Sequence, residues 1–205
     1  KQLSGHLNAM ATTSVRYLYA LPFAWLYLWW ILDYRELDMP TLTPHFFKYA
    51  LVACFAQIIG TACLVVAFKY RNFSVATSLA KTEAIQVAIV GSLLFSASLT
   101  ILGWFSVIIG VLGVLLVSKV KFTFNDIFHN PGAGFGLAAG LGLALTTILI
   151  RESSLALKTD LLLSAAITLV FMVTVQSIFS IAYVFFQDRK QLLLMIKYWR
   201  ICLLV

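Results

Sequence analysis

Long apolar runs separated by short polar breaks organise this chain. A helix needs about 18 or more mostly apolar residues to cross a hydrocarbon layer roughly 30 Å thick. On that criterion the pattern predicts spans at 16–32, 49–68, 73–95, 99–118, 133–150 and 161–186, with a seventh apolar run starting at Trp199. The runs are apolar on all sides and lack the alternation in about ten-residue segments that marks a membrane barrel strand. Helices close their backbone hydrogen bonds within one segment, so the expected class is an all-α polytopic membrane protein.

The breaks are short. Asp33, Arg35, Glu36 and Asp38 with Pro40 and Pro44 form the first, Lys69 to Asn72 the second, and Phe95 to Ser98 the third. The longest, 119–132, holds His129, Asn130, Pro131 and Gly132, a breaker cluster expected to be exposed loop. It divides the chain into an N-terminal part, 1–125, and a C-terminal part, 126–205. The sequence starts at Lys1 and stops within an apolar run, as a piece of a longer protein would.

Composition agrees with the pattern. Hydrophobic residues make up 61% and charged ones 11%, against roughly half and a quarter in a soluble domain. The net charge of +7 is read as the cytoplasmic excess of Lys and Arg, with no nucleic acid as partner. With loops assigned to alternating sides, the side of the N-terminal end carries ten basic residues, among them Arg16, Arg71 and Lys121. The other side carries four, Arg35, Lys48, Arg151 and Lys158, and Lys81 is intramembrane. This bias puts the N-terminal side in the cytoplasm.

Cys54, Cys63 and Cys202 lie in apolar runs without ligand spacing and are read as packing residues. His6, His45 and His129 stand singly near the membrane edges. No metal and no cofactor is inferred. The motifs H-E-x-x-H and G-x-S-x-G are absent, which argues against a membrane-embedded protease or transferase.

One helix breaks the apolar rule. Thr77 to Phe95 reads as a lipid-crossing segment yet holds Lys81 and Glu83 near its start. In a continuous helix, residues two apart point about 200° away from each other, so these charges cannot pair and each needs another partner. Lys81 would share a face with Ser74, Thr77, Ser78, Ala84 and Ala88, and Glu83 with Leu79, Ala80, Gln86 and Val87. At about 1.5 Å per residue Lys81 lies roughly 10 Å in from Ser74. A charge that deep costs about 2.5–3.5 kcal/mol even on lenient scales and normally faces a wet cavity or a partner. The bland alternative is a snorkelling lysine and a structurally paired or protonated glutamate.

Other polar positions add to this. Gln57 shares its face with Ala53, Cys54, Gly60 and Thr61, while bulkier Leu51, Phe55, Ile58 and Val65 lie elsewhere, so it is expected to look inward for an interhelical bond or a substrate. Gln176 has the same status. Gly136 and Gly140 form a G-x-x-x-G beside Gly132, Gly134 and Gly142, which predicts close helix packing.

The segment from Ser74 to Thr100, S-V-A-T-S-L-A-K-T-E-A-I-Q-V-A-I-V-G-S-L-L-F-S-A-S-L-T, followed by I-I-G-V-L-G-V-L-L-V, resembles the end of an EamA repeat of the drug/metabolite transporter superfamily. Such repeats have an Ala-rich fourth helix, a very short turn and a fifth helix ending in a G-x-x-G-V-type pattern. V-R-Y-L-Y-A-L-P, Val15 to Pro22, looks like the family's second helix. The resemblance covers 16–118 well and 132–205 loosely. It implies a ten-helix permease of two inverted repeats, of which this chain holds six complete transmembrane helices and the start of a seventh. Residues 1–125 would be most of the first repeat and 126–205 the start of the second. The substrate cavity would lie between repeats, lined by the helices holding Gln57 and Lys81.

Two departures bear on substrate. Lys81, Thr82 and Glu83 stand where the family commonly has a proline, and Ser96 and Ala97 where it often has an acidic residue. The family's usual orientation would also place the N-terminal side of this chain outside, against the charge bias.

The function expected is a secondary transporter, a permease or exporter moving a small metabolite by alternating access, and not an enzyme. Its substrate-binding candidates are Lys81, Glu83, Gln57, Ser78 and Gln86. Lys81 would attract an anionic or zwitterionic substrate, and Glu83 would balance that charge or exchange a proton. The partners are that small molecule and the lipid bilayer, and the expected location is the bacterial cytoplasmic (inner) membrane. The competing class is a non-transporting integral membrane subunit whose intramembrane charges make structural contacts.

Overall fold

The computed structural model describes residues 9–67, 79–80, 82–94, 100–117 and 131–187. Within these residues the chain is helical: α1 Ala9–Arg35, α2 Pro44–Ala67, α3 Glu83–Leu94, α4 Ile101–Val117, α5 Pro131–Ala156 and α6 Leu161–Gln187. Three stretches are long and apolar enough to cross a membrane, Pro44–Ala67, Gly132–Ala156 and Leu161–Gln187. α1 has the length, with 27 residues, but Arg16 and its tyrosines and tryptophans lower its hydropathy. α3 and α4 are apolar and shorter. The seventh run, from Trp199, lies outside the described residues.

Helix starts follow capping chemistry. Thr43 Oγ1 accepts from the Phe46 amide at 3.2 Å, with Pro44 in the first helical position of α2. Thr100 Oγ1 accepts from the Gly103 amide at 3.2 Å ahead of α4. Asp160 Oδ2 accepts from the amides of Leu162 and Leu163 at 3.1 and 3.4 Å ahead of α6. α5 begins at Pro131, whose missing N–H is one that no helix start would bond. Pro131 and Gly132 therefore form the first turn of α5, and the expectation that they are exposed loop is corrected: Gly132 is helical and buried. His129 and Asn130 lie outside the described residues.

α1 ends in a Schellman motif. Glu36 takes a left-handed φ of 48°, its amide donates to Asp33 O at 3.4 Å, and the Leu37 amide donates to Leu32 O at 3.2 Å. Leu32 and Leu37 both pack on the same apolar cluster.

The chain divides into two compact units, one of Lys1–Cys54 with Ile150–Val205 and one of Phe55–Leu149. Both boundaries fall inside helices, α2 and α5.

In the first unit α1 packs on α6. Ala24, Leu28 and Ile31 recur at helical spacing on one face of α1, and Leu163, Ala166, Ile167 and Val170 on one face of α6. Phe46 and Ala50 of α2 complete this buried cluster with Leu157. Phe46, Phe47 and Phe171 meet edge to face with ring centroids 5.3–5.6 Å apart. Cys54, buried as expected of a packing residue, holds its Sγ 4.0 Å from Met172 O. Arg35 Nη1 meets the capping oxygen Asp160 Oδ2 at 3.2 Å. Tyr27, Trp30 and Tyr34 stack along the outer face of α1, with Trp29 also exposed. Such amphipathic rings belong at headgroup level.

In the second unit α3 packs on α4, and α5 meets α2 through glycines. A Cβ on Gly142 would stand 2.7 Å from Gly60 Cα and 3.0 Å from Ala56 O. The close approach predicted for this Gly-rich helix is thus present, carried by Gly142 and, toward α3, by Gly140. α4 leaves Ile101, Leu102, Phe105, Ile109 and Leu116 exposed, as a helix surrounded by lipid requires.

Candidate functional site

The segment that holds the anomalous charges is not one continuous helix among the described residues. Leu79 and Ala80 are helical, Thr82 is a turn, and α3 begins at Glu83. The Thr82 amide donates to Leu79 O at 3.1 Å, a three-residue step, and the Thr82 hydroxyl donates to the same carbonyl at 2.6 Å. Thr82 O then accepts from the amides of Ile85 and Gln86 at 3.0 and 3.1 Å, starting the new helix. Threonine suits this place because its hydroxyl bonds a carbonyl three residues back, which competes with the regular ladder.

The face argument made from sequence turns on the direction of Lys81 relative to Glu83. Lys81 and Ser78 lie outside the described residues.

Glu83 gains two things from its position. It stands in the first turn of α3, where unbonded amides favour a negative charge. Its Oε1 also accepts from the Thr147 hydroxyl of α5 at 3.2 Å, while that hydroxyl lies 3.1 Å from Leu143 O as well. Glu83 is partly buried and Thr147 is exposed.

Gln86 lies one turn further on. Its Nε2 donates to Thr82 Oγ1 at 3.0 Å, so Leu79, Thr82 and Gln86 form a short relay along one side of the segment. Gly140 of α5 faces this amide: a Cβ there would lie 3.0 Å from Nε2 and 3.2 Å from Ala80 O. Thr147 meets Glu83 and Gly140 meets both Gln86 and Ala80, so α5 touches this segment at two places about two turns apart.

Gln57 is half-buried on α2, on the face it was expected to occupy: Ala53, Cys54 and Gly60 are buried while Leu51 and Phe55 are exposed. Gln176 is buried on α6. Glu83 and Gln86 stand one turn apart on α3, and each bonds a threonine to which the sequence analysis gave no site role, Thr147 and Thr82 respectively. Thr82 was hidden between two charges. Thr147 had a signal, since it follows Gly140 by seven residues, two turns, and so continues the same helix face. Gly142 is two residues from Gly140 and points the other way, toward Gly60, so one glycine-rich helix serves two neighbours.

Chemically, the arrangement offers a carboxylate at a helix start, an amide and two hydroxyls inside an otherwise apolar packing of α3 on α5. It can accept hydrogen bonds and balance a positive charge. Over residues 1–119 of its 205 the chain matches the EamA-like transporter family. No curated protein and no solved structure matches it.

Proposed function

Because the chain belongs to the EamA-like transporter family, a family of membrane transporters, we propose that it is a secondary transporter moving a small metabolite across the bilayer by alternating access. The observation that carries this reading is the helix break at Thr82 within an apolar segment. Secondary carriers commonly build substrate and ion sites from interrupted helices, where freed backbone groups and helix starts meet the cargo. Here the break sets Glu83 at a helix start beside Gln86 and Thr147.

In this reading Lys81, Glu83, Gln57, Ser78 and Gln86 contact substrate. Lys81 attracts the anionic group of an anionic or zwitterionic molecule, and Glu83 balances it or carries a coupled proton. Residues 1–125 and 126–205 belong to two inverted repeats of a ten-helix protein of the bacterial inner membrane, six of whose spans and the start of a seventh are in this chain.

The test is reconstitution into liposomes with flux and melting temperature measured together. Lys81→Met removes a costly membrane charge and is expected to leave folded protein at normal or higher yield while flux of an anionic or zwitterionic metabolite is lost. Glu83→Gln still accepts from Thr147 but cannot titrate, so flux should persist with its pH dependence flattened. Native-rate transport by Lys81→Met, or flux lost only in proportion to folded protein, would return Lys81 to a structural role.

A further inference from the structure

Beside the polar relay, α3 and α5 leave an open groove of about 440 Å³, lined by Gln86, Ile89 and Val90 from one helix and Leu137, Ala138 and Leu141 from the other. A volume of this size suits a small organic molecule. Five of the six lining residues are apolar, and the exception is half satisfied. The Gln86 Nε2 donates to Thr82, whereas Oε1 is buried and has no hydrogen-bond partner. A buried acceptor is normally bonded, so this one calls for a donor.

Water is a poor source for that donor. A buried water needs two to four polar partners, and among the residues lining this groove only Gln86 is polar. An acyl chain would fill the apolar walls but carries no donor. We infer that the α3–α5 groove binds a small molecule with an apolar body and a single N–H or O–H group, which donates to Gln86 Oε1. The terminal torsion of a glutamine is soft, so a ligand donor can draw Oε1 toward the groove as the amide gives up its Nε2 bond to Thr82. Gly140 supplies the space for that rotation, since a Cβ there would lie 3.5 Å from Gln86 Cδ and 3.0 Å from Nε2.

As the apolar part of a transport site this groove rests on the reading proposed above, so it is tested by binding alone and the two can fail separately. The probes are 2-naphthol and 2-methoxynaphthalene, which share an apolar body and differ in the donor. Each is titrated by its fluorescence against the purified full chain in detergent micelles, with protein-free micelles subtracted. The wild type is expected to prefer 2-naphthol about threefold to tenfold, the worth of one neutral hydrogen bond. Gln86→Met keeps length and apolar contact and should bind both probes equally, with unchanged affinity for 2-methoxynaphthalene. Should that variant fold poorly, Gln86→Leu gives the same comparison. Equal affinities in the wild type, or a preference that survives removal of the amide, would overturn the inference and leave an apolar slot for lipid. A preference that depends on Gln86 in a protein without flux would sustain the groove and remove the transport reading.

Discussion

Gly60 and Gly142 touch backbone to backbone: a single methyl on Gly142 would stand 2.7 Å from the Cα of Gly60. No flexible side chain lies there to move aside, so the helices themselves would have to part. Gly142→Ala is therefore expected to destabilise the protein by about 1–3 kcal/mol, the usual range for overpacking. Gly134 sits in the same helix with nothing within 4 Å of a would-be Cβ, and Gly134→Ala should stabilise by about 0.5–1 kcal/mol through backbone entropy. Melting temperatures in detergent that fall for both, or for neither, would remove the steric account.

Asp160 combines a helix cap with an ion pair at one oxygen, Oδ2. The two contributions separate by substitution. Asp160→Ala loses the cap and should cost about 1 kcal/mol. Arg35→Ala loses only an exposed pair and should cost less than about 1 kcal/mol. Asp160→Asn keeps the cap and should resemble Arg35→Ala. Equal losses for the alanine variants, measured by denaturation at low and high salt, would show that the pair dominates.

Glu36 holds a left-handed conformation, which costs a residue with a Cβ roughly 1–2 kcal/mol. Glu36→Gly keeps both bonds of the Schellman turn and relieves that cost, so its melting temperature should rise. A fall would mean that the carboxylate has a stabilising contact of its own.

Orientation can be read by labelling. If the basic bias of the loops decides it, a cysteine at Asp38 reacts with an impermeant thiol reagent in whole cells and one at Asn72 resists. The reverse pattern would show that the family's usual orientation prevails.

The helices were legible because their signals are local. Lipid-length apolar runs need no partner to be recognised, whereas Pro44, read as part of a polar break, in fact opens α2. Pro131 and Gly132 were misread for the same reason that Pro is ambiguous: it breaks a helix interior and favours a helix start. The inward face of Gln57 was legible from the small residues around it. The break at Thr82 was not, since neither glycine nor proline marks it. Its hydroxyl takes the Leu79 carbonyl in place of a ladder bond, and most threonines in helices do so without breaking them. Glu83 with Thr147 is a contact across 64 positions, which periodicity can prepare but cannot select.

The cluster that covers Ala24 and Leu28 is completed by Ile167 and Val170, far later in the chain. Synthesis at about 5–20 residues per second puts roughly seven to twenty-eight seconds between the emergence of the two halves. Throughout that interval the apolar face of α1 that carries Ala24, Leu28 and Ile31 has no α6 to meet, although the helix has already left the ribosome. The cell must therefore keep α1 and α2 sheltered at the insertion machinery, or in lipid as an incomplete pair, until α6 arrives. Degradation of nascent chains should accordingly be governed by how quickly α6 is delivered, and slow codons between 54 and 161 would lower yield without altering a single residue.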